Sequence, residues 1–319
     1  MTQGNGSEAN PSRAPAELAN GRGAALWAIW WPVLRTMLSL LRRHGLRILL
    51  FAFVIIHSAA VTVILWGPVV YCFGFAGISP AEVMEFVYLA VLPLVAAVAG
   101  PLESGYQLSV YRLLVGEKAG ILTLVAGYRR IRLFLRLAVV SAALAACDRI
   151  LDILWSRLPW DFCWDYFFNI VTPGSPLDQL LGSIPALGWF IGEFHFAAKA
   201  LILLPIQWAL LEVIVGGKSW PKALAGSARL AWRHKHLAML LLGVVLVLSL
   251  DTWLRALLPH RQDYVVGYSH IVYWLVDWGG LAGHAAITCA VTAVKAAALV
   301  VIYHAMRKDD EAPVPAESA

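Results

Sequence analysis

The chain has 319 residues, 60% hydrophobic and only 14% charged, with a formal net charge of +5, a pI near 9.1 and a mean hydropathy of +0.70. A soluble domain is nearer half apolar and a quarter charged, so this composition sets the chain apart from ordinary soluble enzymes and places it in the membrane class. Four cysteines make no disulfide framework, and the basic excess is placed as membrane topology places it, which argues against nucleic acid as a partner.

In chain order, residues 1–23 are polar and rich in Gly, Ala, Asn and Pro. They bury too little apolar area to offset the entropy of ordering, and a disordered cytoplasmic tail is expected. No cleavable signal peptide is read, because the first apolar segment begins late and further spans follow it. Residues 26–44 open on Trp27, Trp30 and Trp31 and carry Arg35, Ser39 and Arg42 on one helical face. That pattern describes an amphipathic helix lying in the membrane interface; the alternative is that it extends the first span.

A helix rises about 1.5 Å per residue and the hydrocarbon core is about 30 Å thick, so a span needs about twenty apolar residues. Six such stretches are present: 46–66, about 84–115, 133–155, one within 184–215, 237–257 and 280–306. Pro93, Gly100-Pro101 and Pro205 are expected to kink the over-long second and fourth. The sixth carries Gly279, Gly283, Ala286, Ala290, Ala293 and Ala297 along one side, a small-residue stripe expected to pack inside the bundle.

Lys and Arg gather before span one, between spans two and three, between four and five, and after six. The positive-inside rule then puts both termini in the cytoplasm, with 307–319 a second cytoplasmic tail. The linkers 119–131 and 219–232 interleave apolar and basic residues, and each is expected to lie flat on the cytoplasmic leaflet, against anionic lipid headgroups. On the outer side, 155–182 is rich in aromatics, as an interfacial belt is; a binding platform is the sharper alternative. Cys72 and Cys163 fall on that same side, where a disulfide is permitted, as are two free thiols.

The chain also repeats itself at an offset of one hundred. Val115-Gly116-Glu117-Lys118 returns as Val215-Gly216-Gly217-Lys218, and Gln107, Arg129 and Leu158-Pro159 meet Gln207, Arg229 and Leu258-Pro259. The copies cover about 84–159 and 184–259, and because each holds two spans they should be parallel, related by an axis along the membrane normal. The fold expected is an all-α integral membrane protein: six transmembrane helices in a single polytopic domain over 24–306, with an internal parallel repeat of about 100 residues and interfacial amphipathic helices.

The run Gly100-Pro101, Gly105-Tyr106, Gly116-Glu117-Lys118, Gly127-Tyr128-Arg129 resembles the first repeat of uncharacterised bacterial multi-span families of the YciC kind. These are similar to the membrane region that accompanies some glycerophosphodiester phosphodiesterases. Gly216, Lys218, Ala223 and Ser227-Ala228 resemble the corresponding part of the second repeat, and the likeness covers about 80–255. The phosphodiesterase barrel is missing, so its chemistry does not carry over. The resemblance implies a multi-pass protein of the bacterial inner membrane.

No Walker loop, His-Glu-x-x-His, Gly-x-Ser-x-Gly or Cys-x-x-Cys motif stands in the sequence, and no catalytic residue, cofactor or metal ligand is assigned. His234-Lys235-His236 reads as a basic surface patch, since two histidines one residue apart on a helix face different ways. What remains is polar groups at membrane depth. Counted from the basic boundary, Glu103 lies about 20 Å in, Lys295 about 18 Å, and Gln107, Gln207 and His57 about 15 Å. Lys199, near the outer boundary, is expected to snorkel. Glu103 and Lys295 are expected to form an ion pair with Gln107 beside it, since opposite charges at matched depth offset each other's cost. Two roles follow: a transport or lipid-handling protein whose pathway this cluster lines, or a non-catalytic scaffold that docks partner proteins and uses the cluster as glue. An intramembrane enzyme is the third.

Overall fold

A computed structural model describes residues 14–75, 92–156, 196–249 and 270–311, with side chains over 26–57, 92–155, 196–249 and 282–310. Among these every regular element is helical. The helices are α1 (Ala14–Phe75), α2 (Leu92–Leu114), α3 (Ile121–Leu124), α4 (Ile131–Ser156), α5 (Phe196–Ile214), α6 (Trp220–Arg233), α7 (Lys235–Ser249) and α8 (His270–Glu311). Of these, α5 and the Ala282–Asp310 part of α8 are long and apolar enough to cross a membrane, and α6 with α7 makes a third if the bent pair is one span. The expected third span carries Asp148, Arg149 and Asp152 in its C-terminal half. Parts of the expected second, fourth and fifth spans lie outside the described residues, as do Cys163 and the aromatic loop it sits in.

The boundary expected near residue 45 is not there: α1 runs through it unbroken. The cause is a continuous stripe. Trp30, Val33, Leu34, Met37, Leu40 and Leu41 recur at helical spacing and pack on the bundle, and the same face continues through Ile48 and Ala52, both fully buried. A single Gly45 costs only about 1 kcal/mol in a helix and does not break one that is packed along its length. The indole N–H of Trp30 donates to the carbonyl of His236 at 3.0 Å, fixing this segment to the start of α7. Residues 14–23, expected to be part of a disordered tail, form the first turns of the same helix.

In lipid, apolar contact between helices gains little from water exclusion, so close packing and hydrogen bonds hold the bundle. Both appear around the prolines of the long helices, although only α5 is interrupted at its proline, whereas α2 runs as one helix through Pro101. In α5 the ladder breaks at Pro205 and tightens into a 3-10 turn over Leu204–Ile206. The hydroxyl of Ser227 on α6 fills the break: it donates to the Pro205 carbonyl at 2.7 Å and accepts from the Trp208 backbone N–H at 3.2 Å. In α2 the equivalent stretch is Gly100 to Gly105. Here Gly127, at the 3-10 turn after α3, lies against Pro101, and Gly105 lies against the backbone of Leu124. The Tyr128 hydroxyl donates to the Val98 carbonyl. Partial desolvation raises the Tyr128 phenol above its ordinary value, with a backbone hydrogen bond pulling the other way.

Helix α2 ends in a Schellman turn: Glu117 N–H bonds the Arg112 carbonyl at 2.8 Å, Gly116 N–H the Leu113 carbonyl at 3.4 Å, and Gly116 has φ of 84°. After α5 the turn is one residue wider. Lys218 N–H reaches the Glu212 carbonyl at 3.1 Å, and the positive φ of 65° falls on Gly217. The ungapped alignment of Gly116 with Gly216 is therefore out by one residue at this turn. The amphipathic α6 buries Ala223, Ser227, Leu230 and Ala231 and turns into α7 through 98°.

The C-terminal half of α8 forms the centre, with Ala297, Val300, Tyr303 and Met306 fully buried. The small-residue stripe is corrected here. Ala293 and Ala297 are inside, but Ala286 and Ala290 are exposed, because the apolar helix twists its packed side away from a strict four-residue period.

Candidate functional site

Two cavities open beside the proline break of α5. One, of about 270 Å³, lies between α2, α4 and α5 and is lined by Glu103, Ser141, Asp148 and Gln207 among small residues such as Ala96, Ala99 and Gly100. The other, of about 150 Å³, lies between α5, α7 and α8, with Asp148, Lys199, Gln207 and Lys295 in an otherwise apolar wall that includes Leu241 and Val245. Asp148, Leu203 and Gln207 line both, so the cavities adjoin at these residues.

Local sequence explains the opening. Small side chains on α2 leave room that α4 does not fill, and Gly100 sits so close to Ser141 that a Cβ would fall 1.7 Å from its Oγ. The 3-10 turn at Pro205 re-aims Gln207 into the gap, and Trp208 then anchors the resumed helix by donating its indole N–H to the Leu299 carbonyl of α8 at 3.1 Å.

The charges divide into a satisfied and an unsatisfied set. The Lys199 ammonium lies 3.0 Å from Asp148 and 2.7 Å from Asp152, which also takes Arg149 at 2.9 Å. Lys199 was expected to snorkel outward. It is held inward instead, because two carboxylates one turn apart on α4 reach it. Glu103 is exposed in the cavity lining and accepts only a long bond, 3.5 Å, from the Gln107 amide. Lys295 acts on Glu103 through space, but the expected contact ion pair is not formed, and among the described residues none pairs with the Lys295 ammonium. The physical reason is azimuth: Lys295 opens on the α5–α7–α8 side and Glu103 on the α2–α4–α5 side.

Of the five polar residues singled out in the sequence, Gln207 is therefore brought between Glu103 and Lys295. Gln107 flanks Glu103 with its side-chain oxygen buried and unbonded among the described residues. His57 is not part of the cluster: it bonds its ring Nδ1 to the Phe53 carbonyl at 2.8 Å and stacks on the Phe53 ring, on an exposed face of α1.

A second buried group was missed. Glu212, 1% exposed, accepts from the Tyr303 hydroxyl at 2.9 Å, lies 3.4 Å from the Arg307 guanidinium and pairs with Lys218. Arg307 also donates to the Tyr303 oxygen at 3.2 Å. Nearby, Asp310 takes Arg233 and His234 at 3.0 and 3.1 Å, so the end of α8 is tied to both α5 and α6. The signal in the sequence was one carboxylate inside the apolar run Ala209–Ile214.

The class these features define is a helical bundle with two or three helices long and apolar enough to cross a membrane and two adjoining open cavities lined by charges of both signs. Comparison with protein-family models, with curated proteins and with solved structures gives no match.

Proposed function

We propose that the chain is a polytopic inner-membrane protein with a transport or lipid-handling role, whose ligand occupies the adjoining cavities around Gln207. One observation carries the reading: Glu103 and Lys295 face the two cavities without touching each other, on either side of a shared polar wall. An unpaired ammonium at membrane depth costs at least about 2.5–3.5 kcal/mol on insertion scales, so a counter-anion supplied by a ligand would be strongly favoured there. The matching ligand is zwitterionic or has an acidic head, with its anion toward Lys295 and a donor toward Glu103.

The scaffold belongs to the same proposal: six spans, two parallel copies and both termini in the cytoplasm. Two facts support it. Residues 127 and 227, one hundred apart, both pack against the proline region of the preceding long helix. Also, α6 meets α7 at nearly a right angle, as an interfacial helix meets a span. Reporter fusions after Glu117 and after Lys218 are both expected to read cytoplasmic; a periplasmic signal at Lys218 would remove the parallel arrangement.

The ligand reading is tested by purifying the protein with its native lipids and identifying bound small molecules by mass spectrometry. Lys295→Met is expected to keep or raise folded yield, since it removes an unpaired charge, while retaining at least about tenfold less ligand, the equivalent of one charge-assisted hydrogen bond. Glu103→Gln should weaken retention less. A protein that carries no small molecule but co-purifies with a partner protein, unchanged by Lys295→Met, would favour the docking scaffold.

A further inference from the structure

A third cavity, of about 390 Å³, lies at the other end of the bundle from the charged outer half of α4. It is bounded by α1 and the end of α2 at Gly116. Arg35, Ser39 and Arg43 enter it from one face of α1 at four-residue intervals, with His44 beside them. Leu40, Leu113 and Leu114 supply an apolar wall, and no carboxylate lines it. Among the described residues neither Arg35 nor Arg43 has an ion-pair or hydrogen-bond partner, whereas Arg112, Arg233 and Arg307 each have a carboxylate.

We infer that this cavity binds a phosphate group, that of an anionic phospholipid headgroup, between the guanidinium forks of Arg35 and Arg43. Guanidinium matches phosphate in a bidentate way, and the Ser39 hydroxyl adds a donor. The height on α1 fits a lipid. The exposed face changes from Arg42, Arg43 and Arg47 to Leu46, Leu49, Leu50 and Phe53 within two turns, which is where headgroups give way to acyl chains. The volume is many times that of one water, about 30 Å³, and leaves room for a glycerol backbone as well as phosphate. The apolar wall suits the first carbons of a chain. This inference rests on the membrane placement proposed above, but not on the central cavity holding a ligand.

The experiment uses the full chain in phosphatidylcholine nanodiscs doped with phosphatidylglycerol, with retained lipid counted by native mass spectrometry. Wild type is expected to retain phosphatidylglycerol. The double variant Arg35→Gln/Arg43→Gln should retain it at least about tenfold less, the equivalent of one charge-assisted hydrogen bond to the phosphate. Arg129→Gln/Arg130→Gln, which removes the same charge from the neighbouring linker, should change retention less than threefold. Arg35→Lys/Arg43→Lys should fall between, and covers the case in which the glutamine variant folds poorly. Lys295→Met should keep the lipid, separating this site from the central one. Equal loss in the linker variant, or none in the Arg35/Arg43 variant, would overturn the site. Retention of soluble glycerol 3-phosphate in place of the lipid would overturn its assignment to a headgroup.

Discussion

Glu212→Ala is expected to destabilise the bundle by about 3–5 kcal/mol, the range for removing one partner of a buried ion pair. The size follows from what is left behind. Lys218 and Arg307 lose the carboxylate that holds them together, and the Tyr303 hydroxyl, in a fully buried side chain, loses its acceptor. Gly216 and Gly226 show how tightly the group is enclosed: a Cβ on the first would lie 2.8 Å from the Arg307 guanidinium, and on the second 2.9 Å from Glu212. Relaxation around the change is therefore limited. Glu212→Gln keeps an acceptor for Tyr303 but drops the charge, and should fall between. The exposed pair of Arg112 and Glu117 is the comparison, since both side chains are well over a third accessible and such pairs are worth about 0–1 kcal/mol. Thermal unfolding of the purified protein reads the difference: a large fall in Tm for Glu212→Ala, little for Glu117→Ala. Equal, small shifts would mean that the group is not structural.

Glu212 also shows what sequence reading leaves out. Depth arithmetic ranked charges by closeness to mid-bilayer, and Glu212 stands only four residues from Gly216, too near the boundary to be flagged. What gives it weight is the approach of α8, which brings Tyr303 and Arg307 to it over a separation of 91 residues or more. The same blindness to azimuth paired Glu103 with Lys295 and left Lys199 to the surface. Height along a helix is legible from a 1.5 Å rise, whereas the side of the bundle a residue faces depends on packing partners. Features encoded within one segment read well. The amphipathic pattern of α6 and the break at Pro205 each follow from local spacing or from one residue's covalent geometry. The apolar character of α5 and α8 was plain for the same reason. The continuity of α1 was not, because its interfacial-looking face and its packed stripe occupy the same residues, and only the presence of α7 and α8 decides between them.

Gly105→Ala is expected to cost more than any other single methyl added to the described glycines of α2. A Cβ there would lie 1.9 Å from the Leu124 carbonyl oxygen and 2.5 Å from its carbon, both backbone atoms of α3. No rotamer change can relieve that contact. Either α3 with the following 3-10 turn moves away from α2, releasing the packing of Gly127 on Pro101, or the helix itself shifts. Overpacking of this kind costs about 1–3 kcal/mol and sometimes more. Gly100→Ala makes an even shorter approach, 1.7 Å, but to the side-chain oxygen of Ser141. Its cost should therefore be largely repaired by Ser141→Gly, which removes the obstructing atoms. Gly243→Ala on α7 meets nothing within 4 Å and should stabilise by up to about 1 kcal/mol through helix propensity alone. Folded yield and Tm across the series distinguish the cases: a loss in Gly105→Ala, a loss in Gly100→Ala recovered by Ser141→Gly, and a neutral or positive effect at Gly243. If Gly105→Ala were as stable as wild type, α3 would not be seated on α2. The contact between the linker and α2, on which the likeness of residues 127 and 227 depends, would then have to be given up.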